Sequence, residues 1–463
     1  MDRDIYPELL RWKESEDRKP LIIRGVRQCG KTYIMKYFGA CNYSDVAYCK
    51  FEGNESLCRI FDGDLDCRRI VSSLSIHLDM DITENTLIIF DEIQECERAM
   101  TSLKSFYEDA PQYHIICAGS LLGLQGEGSF PVGKVSFAEL RPMSFREFLR
   151  AANPRLYGAV MDAGVPDAYS SGMLQSLFKE YLAVGGMPEA VSKWIETGNM
   201  GEVDRIHREI ADSFKLDFMK HVPDKDIKKV NMIWDSIPSQ LAKENRRFFF
   251  GHAVKGARSA ELEDALQWLL DAGMVYKLCR TERVGIPLGA HLSDNLFKLY
   301  MMDVGIMRHK AGVSASHIME DRLDETFLGG FMENLAMCEM SSYGHAGEAY
   351  WVSGNEAEVD FLVTSDRGVI PVEVKSGKRY RAASLKEYID RYDPEAAAVI
   401  SDKGYGRNGK VVTVPLYAIW LMDGIFRDLM RGGALRLERH RRLRVRCEGH
   451  NRELPEGAGR DDR

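Results

Sequence analysis

The chain has 463 residues, too many for one ordinary hydrophobic core, so its length implies two to four domains. Apolar residues make up 45% and charged residues 29%, the balance of a globular protein rather than a disordered or collagenous one. The formal net charge of −8 excludes nucleic-acid binding through an overall positive field and leaves that role to local basic patches.

The ten cysteines are scattered, with no C-x-x-C pair and no histidine at ligand spacing. This pattern fits buried free thiols in a reducing compartment better than disulfides or zinc. The opening residues are charged and carry no apolar signal core, and no apolar run approaches bilayer length. The expected location is the cytoplasm, with no membrane partner.

The first element is a short apolar strand, Pro20 to Arg24, leading into Gly25-Val26-Arg27-Gln28-Cys29-Gly30-Lys31-Thr32 and then a helix. G-x-x-x-x-G-K-T between a strand and a helix is a phosphate-binding loop in the context that it requires. Gly25 and Gly30 let the backbone turn and bring its N–H groups against phosphates, and the helix N-terminus adds a positive dipole end. Lys31 is expected to neutralise the β- and γ-phosphates of ATP, and the Thr32 hydroxyl to hold Mg²⁺. A second apolar strand, Thr86 to Phe90, reads as buried on both faces and ends in Asp91-Glu92. Asp91 is placed to reach the Mg²⁺ shell and Glu92 to orient and deprotonate the attacking water. The next strand, Tyr113 to Ala118, ends in Gly119-Ser120, and Ser120 is a candidate γ-phosphate sensor between the two motifs.

These segments, with PVGKVSFAELRPMSFREFL and YLAVGGMPEAV further on, resemble the prokaryotic AAA-type ATPases related to the archaeal ATPase and STAND groups. The resemblance implies an ATP-hydrolysing P-loop domain over 1–149 and a lid motif at Gly185-Gly186-Met187-Pro188 near the nucleotide. Relatives often carry Gly-Arg where this chain has Gly133-Lys134, and a lysine lacks the bidentate grip of a guanidinium. The arginine that stabilises transition-state charge is therefore unassigned. Arg141 and Arg146 are candidates, and a protein partner or second copy is the other source.

Residues 150–222 show apolar spacing of helical period and are expected to form a helical lid and connector. Residues 223–290 have the helix–turn–helix–strand order of a winged helix, with Ser259 as N-cap and Gly273 as C-cap of the second helix. Its stripe of Leu262, Ala265, Leu266, Leu269 and Leu270 leaves Glu261, Glu263, Asp264, Gln267 and Asp271 outward. An acidic face is repelled by phosphates, so the module reads as packing or partner-binding. Lys243, Arg246, Arg247, Lys255 and Arg258 read as a solvated charged surface.

Residues 291–425 are expected to form an α/β domain. A helix from about Gly329 carries Glu333. Two β-rich runs around the polar stretch 365–368 read as a hairpin in which 364 pairs with 369, 360 with 373 and 358 with 375. Strict alternation then puts Glu358, Asp360, Glu373 and Lys375 on one face, and Val359, Phe361, Val363, Ile370, Val372 and Val374 on the other. Crowded carboxylates are unfavourable unless a cation binds or a proton is shared. The D-x₁₂-E-x-K pattern is similar to the core of restriction-endonuclease-like PD-(D/E)XK folds, although Val359 stands where proline is usual. That resemblance implies Mg²⁺ on Asp360 and Glu373, water activation by Lys375 and help from Glu333. The segments PEAAAVISDK and VVTVPLYAIWLM are expected to complete the sheet. Residues 426–463, with six arginines between Arg436 and Arg446, read as a basic solvated tail.

The expected architecture is α/β: a P-loop NTPase parallel sheet, a helical lid, a winged-helix module and a restriction-endonuclease-like C-terminal domain. The expected function is a Mg²⁺-dependent ATPase acting as a switch for a nuclease-like domain that contacts nucleic acid. The alternative is an ATP-regulated scaffold whose C-terminal domain binds protein or nucleic acid without cutting it.

Overall fold

The computed structural model describes residues 1–119, 131, 133–164, 166–254, 261–354, 357–365, 368–376 and 383–422. Ser120, Lys255, Arg258, Ser259 and the expected tail 426–463 lie outside them.

The N-terminal sheet holds β1 (Leu21–Arg24), β2 (Asp45–Lys50), β3 (Thr86–Asp91), β4 (His114–Ala118) and β5 (Ser136–Glu139). Their order is β2-β3-β4-β1-β5 and every neighbouring pair is parallel. All six residues of β3 are buried, as the unbroken apolar run Leu87 to Phe90 requires of a central strand covered on both faces. Because the strands are parallel, the ends of β1 and β3 reach the same edge, the usual ligand-binding edge of such sheets. Strand β4 runs between them, so its C-terminal end lies between the two motifs, the position expected of the strand before Ser120.

The stretch expected to be helical is so: helices cover Phe145–Ala152, Pro154–Ala163, Ala168–Val184, Pro188–Thr197 and Met200–His221. The first starts with a reciprocal capping box between Ser144 and Glu147. Further helices, Asp224–Leu241, Phe250–Ala253 and Glu263–Asp271, precede β6 (Val275–Thr281) and β7 (Leu292–Met301). Gly273 ends the third of these at φ +69°. Its N–H bonds Leu270 O at 2.9 Å, and that of Met274 bonds Leu269 O at 3.0 Å, a glycine-terminated helix end as expected. Glu261, Glu263, Asp264, Gln267 and Asp271 are exposed while Leu262, Ala265, Leu266 and Leu269 are buried, so the helix does present an acidic face.

The second sheet adds β8 (Ala349–Ser353), β9 (Ala357–Ser365), β10 (Gly368–Lys375), β11 (Ala397–Ser401), β12 (Gly406–Asn408) and β13 (Val411–Pro415). Its order is β12-β13-β11-β10-β9-β8-β6-β7. The hairpin β6–β7 is antiparallel, and β6 also pairs parallel with β8, so the sheet is continuous across residue 290. Strands β11 and β13 complete it beyond β10, as PEAAAVISDK and VVTVPLYAIWLM were expected to do.

The β9–β10 hairpin has the expected register, Thr364 opposite Val369, through to Phe361 opposite Val372. Beyond that the expected alternation fails. Strand β8 pairs Ala349 with Leu362 but Trp351 with Val359, an irregularity that sets Asp360 and Phe361 against Tyr350 alone. Val359 therefore packs with Leu362 and Leu385 rather than with Phe361 and Val363. Glu358 is turned to the other face, the side of its cross-strand neighbour Val352. It does not share a face with Glu373 and Lys375.

Among the described cysteines, eight are free thiols and six of those are buried. Cys41 departs from the expectation: it is disulfide-bonded. No helix among the described residues is long and apolar enough to cross a membrane.

Candidate functional site

The phosphate loop is shaped by two left-handed glycines, Gly25 at φ +154° and Gly30 at φ +96°, the latter capping helix Lys31–Asn42. A Cβ on Gly25 would sit 2.0 Å from Leu140 O, so the close approach of β5's trailing segment also demands glycine there. Lys31 is 7% exposed, and its Nζ donates to Gly25 O at 2.7 Å and Val26 O at 2.8 Å. The ammonium is thus held inside the curve of its own loop. Thr32 Oγ1 donates to Asp91 Oδ2 at 2.7 Å, joining the loop to the end of β3. Glu92 follows at φ +51°, a conformation that turns the chain sharply after the strand, and Gln94 Nε2 donates to its Oε2 at 2.6 Å. The sequence-predicted residues Gly25, Gly30, Lys31, Thr32, Asp91 and Glu92 are gathered at one sheet edge.

The segment Gly185-Gly186-Met187-Pro188 lies against this loop. The nearest side-chain atoms to a Cβ built on Gly30 are Arg3 Nη1 at 3.4 Å and Pro188 Cγ at 3.6 Å. Gly186 N donates to Asp303 Oδ2 at 2.6 Å, and Gly186 O accepts from Met143 N at 2.6 Å.

The arginine candidates are otherwise engaged. Arg146 pairs with Asp4 at 2.7 Å, and Arg141 donates to Glu139 and to Ser341 O. Lys134 pairs with Glu108 at 2.7 Å. It precedes β5, so it lies at the sheet edge opposite the ends of β1 and β3.

Several neighbours carried no signal in the sequence. Tyr48, from β2, donates its hydroxyl to Asp91 Oδ2 at 2.8 Å. Arg3 donates to Cys29 O at 2.8 Å and pairs with the capping Glu147 at 2.9 Å, bracing the loop from the N-terminal segment. Arg27, inside the loop motif itself, pairs with Asp217 and donates to His221 Nε2 at 3.0 Å. These partners are 190 or more positions away, and no local pattern announces them.

A second cluster lies on the eight-stranded sheet. Asp360 is 6% exposed and accepts from Val374 N at 2.7 Å, where the regular β9–β10 ladder has ended. Glu373 is 1% exposed, pairs with Lys375 at 2.5 Å, and has Oε2 buried without a hydrogen-bond partner. Burial and then the charge of Asp360 push its carboxyl above the usual range, against the pull of Lys375. The structure thus brings Asp360, Glu373 and Lys375 together.

Glu333 is fully buried, but as a counter-charge. Its oxygens accept from Arg246, from Lys298 Nζ at 3.2 Å and from the Tyr300 hydroxyl at 3.1 Å. Lys298 also pairs with Glu358 at 2.7 Å. Arg246, expected on a solvated surface, instead turns inward to this acid. The buried Glu333 carboxylate draws it there, since a buried carboxylate needs a cation. Among the described residues no group of three or more His, Cys, Asp or Glu side chains is arranged to hold a metal ion. The two hairpin carboxylates are held differently, Asp360 by Val374 N and Glu373 by Lys375, with Glu373 Oε2 left over.

Residues 17–149 match the AAA domain family. Residues 175–317 match Domain of unknown function (DUF8612), and residues 328–419 match Domain of unknown function (DUF4143). The N-terminal part is therefore an AAA-type P-loop domain. No curated protein sequence matches the chain. Among solved structures, the chain is similar to a Walker-type ATPase of Pyrococcus abyssi at 14% identity and TM-score 0.42, covering 67% of this chain and 95% of that one. It is also similar to the Aeropyrum pernix Orc1 protein, solved in complex with DNA, at 12% identity and TM-score 0.28, covering 69% and 92%. A third likeness is to PCH-2 of C. elegans, at 12% identity and TM-score 0.26, covering 43% and 64%.

Proposed function

We propose that the chain is a Mg²⁺-dependent ATPase whose nucleotide state controls a nuclease-like C-terminal domain acting on nucleic acid. The observation that carries the first half is the 2.7 Å hydrogen bond between Thr32 and Asp91, which sets a hydroxyl and a carboxylate side by side at the mouth of a lysine-bearing loop. That donor pair fits Mg²⁺, a hard cation that takes oxygen ligands and keeps several waters. Bound with ATP, Mg²⁺ supplies charge neutralisation between the β- and γ-phosphates. Lys31 exchanges its loop carbonyls for phosphate oxygens, the loop N–H groups hold the chain of phosphates, and Glu92 takes a proton from the attacking water. Glu92 is steered for that by Gln94. Pro188 and Arg3 close the loop's other side.

The second half rests on Asp360, Glu373 and Lys375. The unpartnered Glu373 Oε2 and the acid pressure from Asp360 fit a divalent cation completed by phosphate and water oxygens. Lys375 is placed to hold a water or the scissile phosphate. A second reading, a scaffold that binds nucleic acid or protein without cutting, is favoured by one observation: Glu333 is neutralised, so the acid set is two rather than three. One assay separates them. With Mg²⁺ or Mn²⁺, the purified protein is expected to cut DNA or RNA. Asp360→Ala and Glu373→Ala are expected to abolish cutting while ATP turnover continues, and Lys31→Ala to abolish turnover. A protein that turns over ATP but cuts neither substrate with either metal leaves the scaffold reading. Turnover that survives Lys31→Ala refutes the nucleotide site.

A further inference from the structure

Helix Met200–His221 has 22 residues and so spans about 33 Å. Each end grips one arginine with an aspartate and a histidine. At its start, Asp204 pairs with Arg308, whose Nη2 also donates to His207 Nδ1 at 3.1 Å. Arg308 is 1% exposed and donates to Ala183 O at 2.8 Å, just before the Gly185-Gly186 segment. At its finish, Asp217 pairs with Arg27 of the phosphate loop, and Arg27 Nη2 donates to His221 Nε2 at 3.0 Å. A guanidinium only donates, so both histidine nitrogens facing it are acceptors and both rings are neutral. Between Asp217 and His221, Lys220 reaches Glu52 at 3.2 Å and Glu95 at 3.3 Å, spanning two loops that follow β2 and β3. Asp217 lies close enough to Glu92 for the charge of that acid to act on it.

We propose that Arg27 is a binding residue that senses the nucleotide phosphates, and that Asp217 and His221 compete with those phosphates for its guanidinium. The inference rests on the ATP-binding reading above and adds the means by which binding is felt elsewhere. Arg27 sits two residues past Gly25 on the loop that wraps the phosphates. A triphosphate offers its guanidinium a denser, bidentate partner than one carboxylate. The same phosphates bring negative charge towards Asp217, which already shares its surroundings with Glu92. Attraction of Arg27 and repulsion of Asp217 act together, so the last turn of the helix lets go. Its far end is fixed to Arg308, so the release is transmitted to the helix Val304–Lys310 that Asp303 caps and that lies beside the lid glycines. Arg27 thereby offers the triphosphate, within one chain, a guanidinium, whereas Arg141 and Arg146 are engaged elsewhere.

The full-length protein tests this with Mg²⁺ and a non-hydrolysable β,γ-imido ATP analogue. Backbone amides of residues 214–222 are expected to exchange with deuterium faster when the analogue is bound. Asp217→Asn is expected to show that faster exchange without nucleotide and to bind the analogue about fivefold tighter, the scale of one partly exposed ion pair. Arg27→Lys keeps charge without the fork. It is expected to weaken analogue binding about tenfold, and ADP binding by no more than about twofold. Unchanged exchange in a wild-type protein that demonstrably binds the analogue overturns the latch and leaves the ATP-binding reading standing. So does an Arg27→Lys variant that loses ATP analogue and ADP affinity equally. A wild-type protein that binds neither nucleotide overturns both.

Discussion

Glu333 shows how far one residue's role depends on its surroundings. By position on its helix it invites assignment as a metal ligand. In the fold it is the shared anion of Arg246 and Lys298, and the latter is fully buried. A buried ion pair adds little net stability over an apolar replacement, but removing one partner leaves the other charge stranded. Glu333→Ala strands Lys298 with only the partly exposed Glu358. The expected result is a loss of about 3–5 kcal/mol in unfolding free energy, measured by chemical denaturation. A variant that keeps wild-type stability yet loses metal affinity would instead make Glu333 a helper of the hairpin acids.

At the scale of elements, helix Glu325–Ser342 carries Glu333 and, six residues or about 9 Å further along, Glu339. Glu339 Oε1 accepts from Phe145 N at 2.8 Å and the Tyr181 hydroxyl at 3.0 Å, and Oε2 accepts from the Tyr343 hydroxyl at 2.8 Å. One helix therefore touches strand β10 and the start of helix Phe145–Ala152. Burial pushes the Glu339 carboxyl up to about 7, against those hydrogen bonds, and burial likewise pushes Asp303 up to about 6. Folding thus favours the protonated forms. For Glu339 the contribution is fully present below the ordinary glutamate pKa and is lost as pH rises through about 7. The loss is on the order of 3 kcal/mol for a group this deep. Thermal melts of the wild type are expected to fall between pH 5 and pH 8 more than those of Glu339→Gln, which cannot ionise. Equal slopes would assign the carboxyl an ordinary titration.

What the sequence revealed at this scale was whatever short spacing controls. The loop motif, the acid pair after β3, the Gly273 helix end and the hairpin register are all set by residues within a few positions of one another. Arg246 finds Glu333 across 87 positions and Arg27 finds Asp217 across 190, and periodicity carries no information over such distances. The misplacement of Glu358 has another cause. Strict alternation ends at an irregularity in the pairing with β8, a strand outside the hairpin.

For the whole molecule, the pairing of β6 with β8 matters most. The expected boundary at 290/291 passes between β6 and β7, which face each other along their length. A fragment beginning at residue 291 lacks β6, so β7 loses its one sheet neighbour among the described residues and the edge of β8 is bared. That fragment is expected to be insoluble or to melt without cooperativity, whereas one beginning at residue 224 is expected to melt cooperatively, as read by circular dichroism. A cooperative melt from the shorter fragment would show the hairpin to be an accessory.

The same strand pairing has a hereditary consequence. Genes for multi-part proteins diversify by trading segments, and a trade succeeds when the cut crosses few contacts. Here a cut anywhere between residues 275 and 301 divides one hydrogen-bonded ladder, so the eight-stranded sheet can pass to another lineage only with its β6–β7 hairpin attached. The hairpin and the sheet that follows it are therefore one inherited unit.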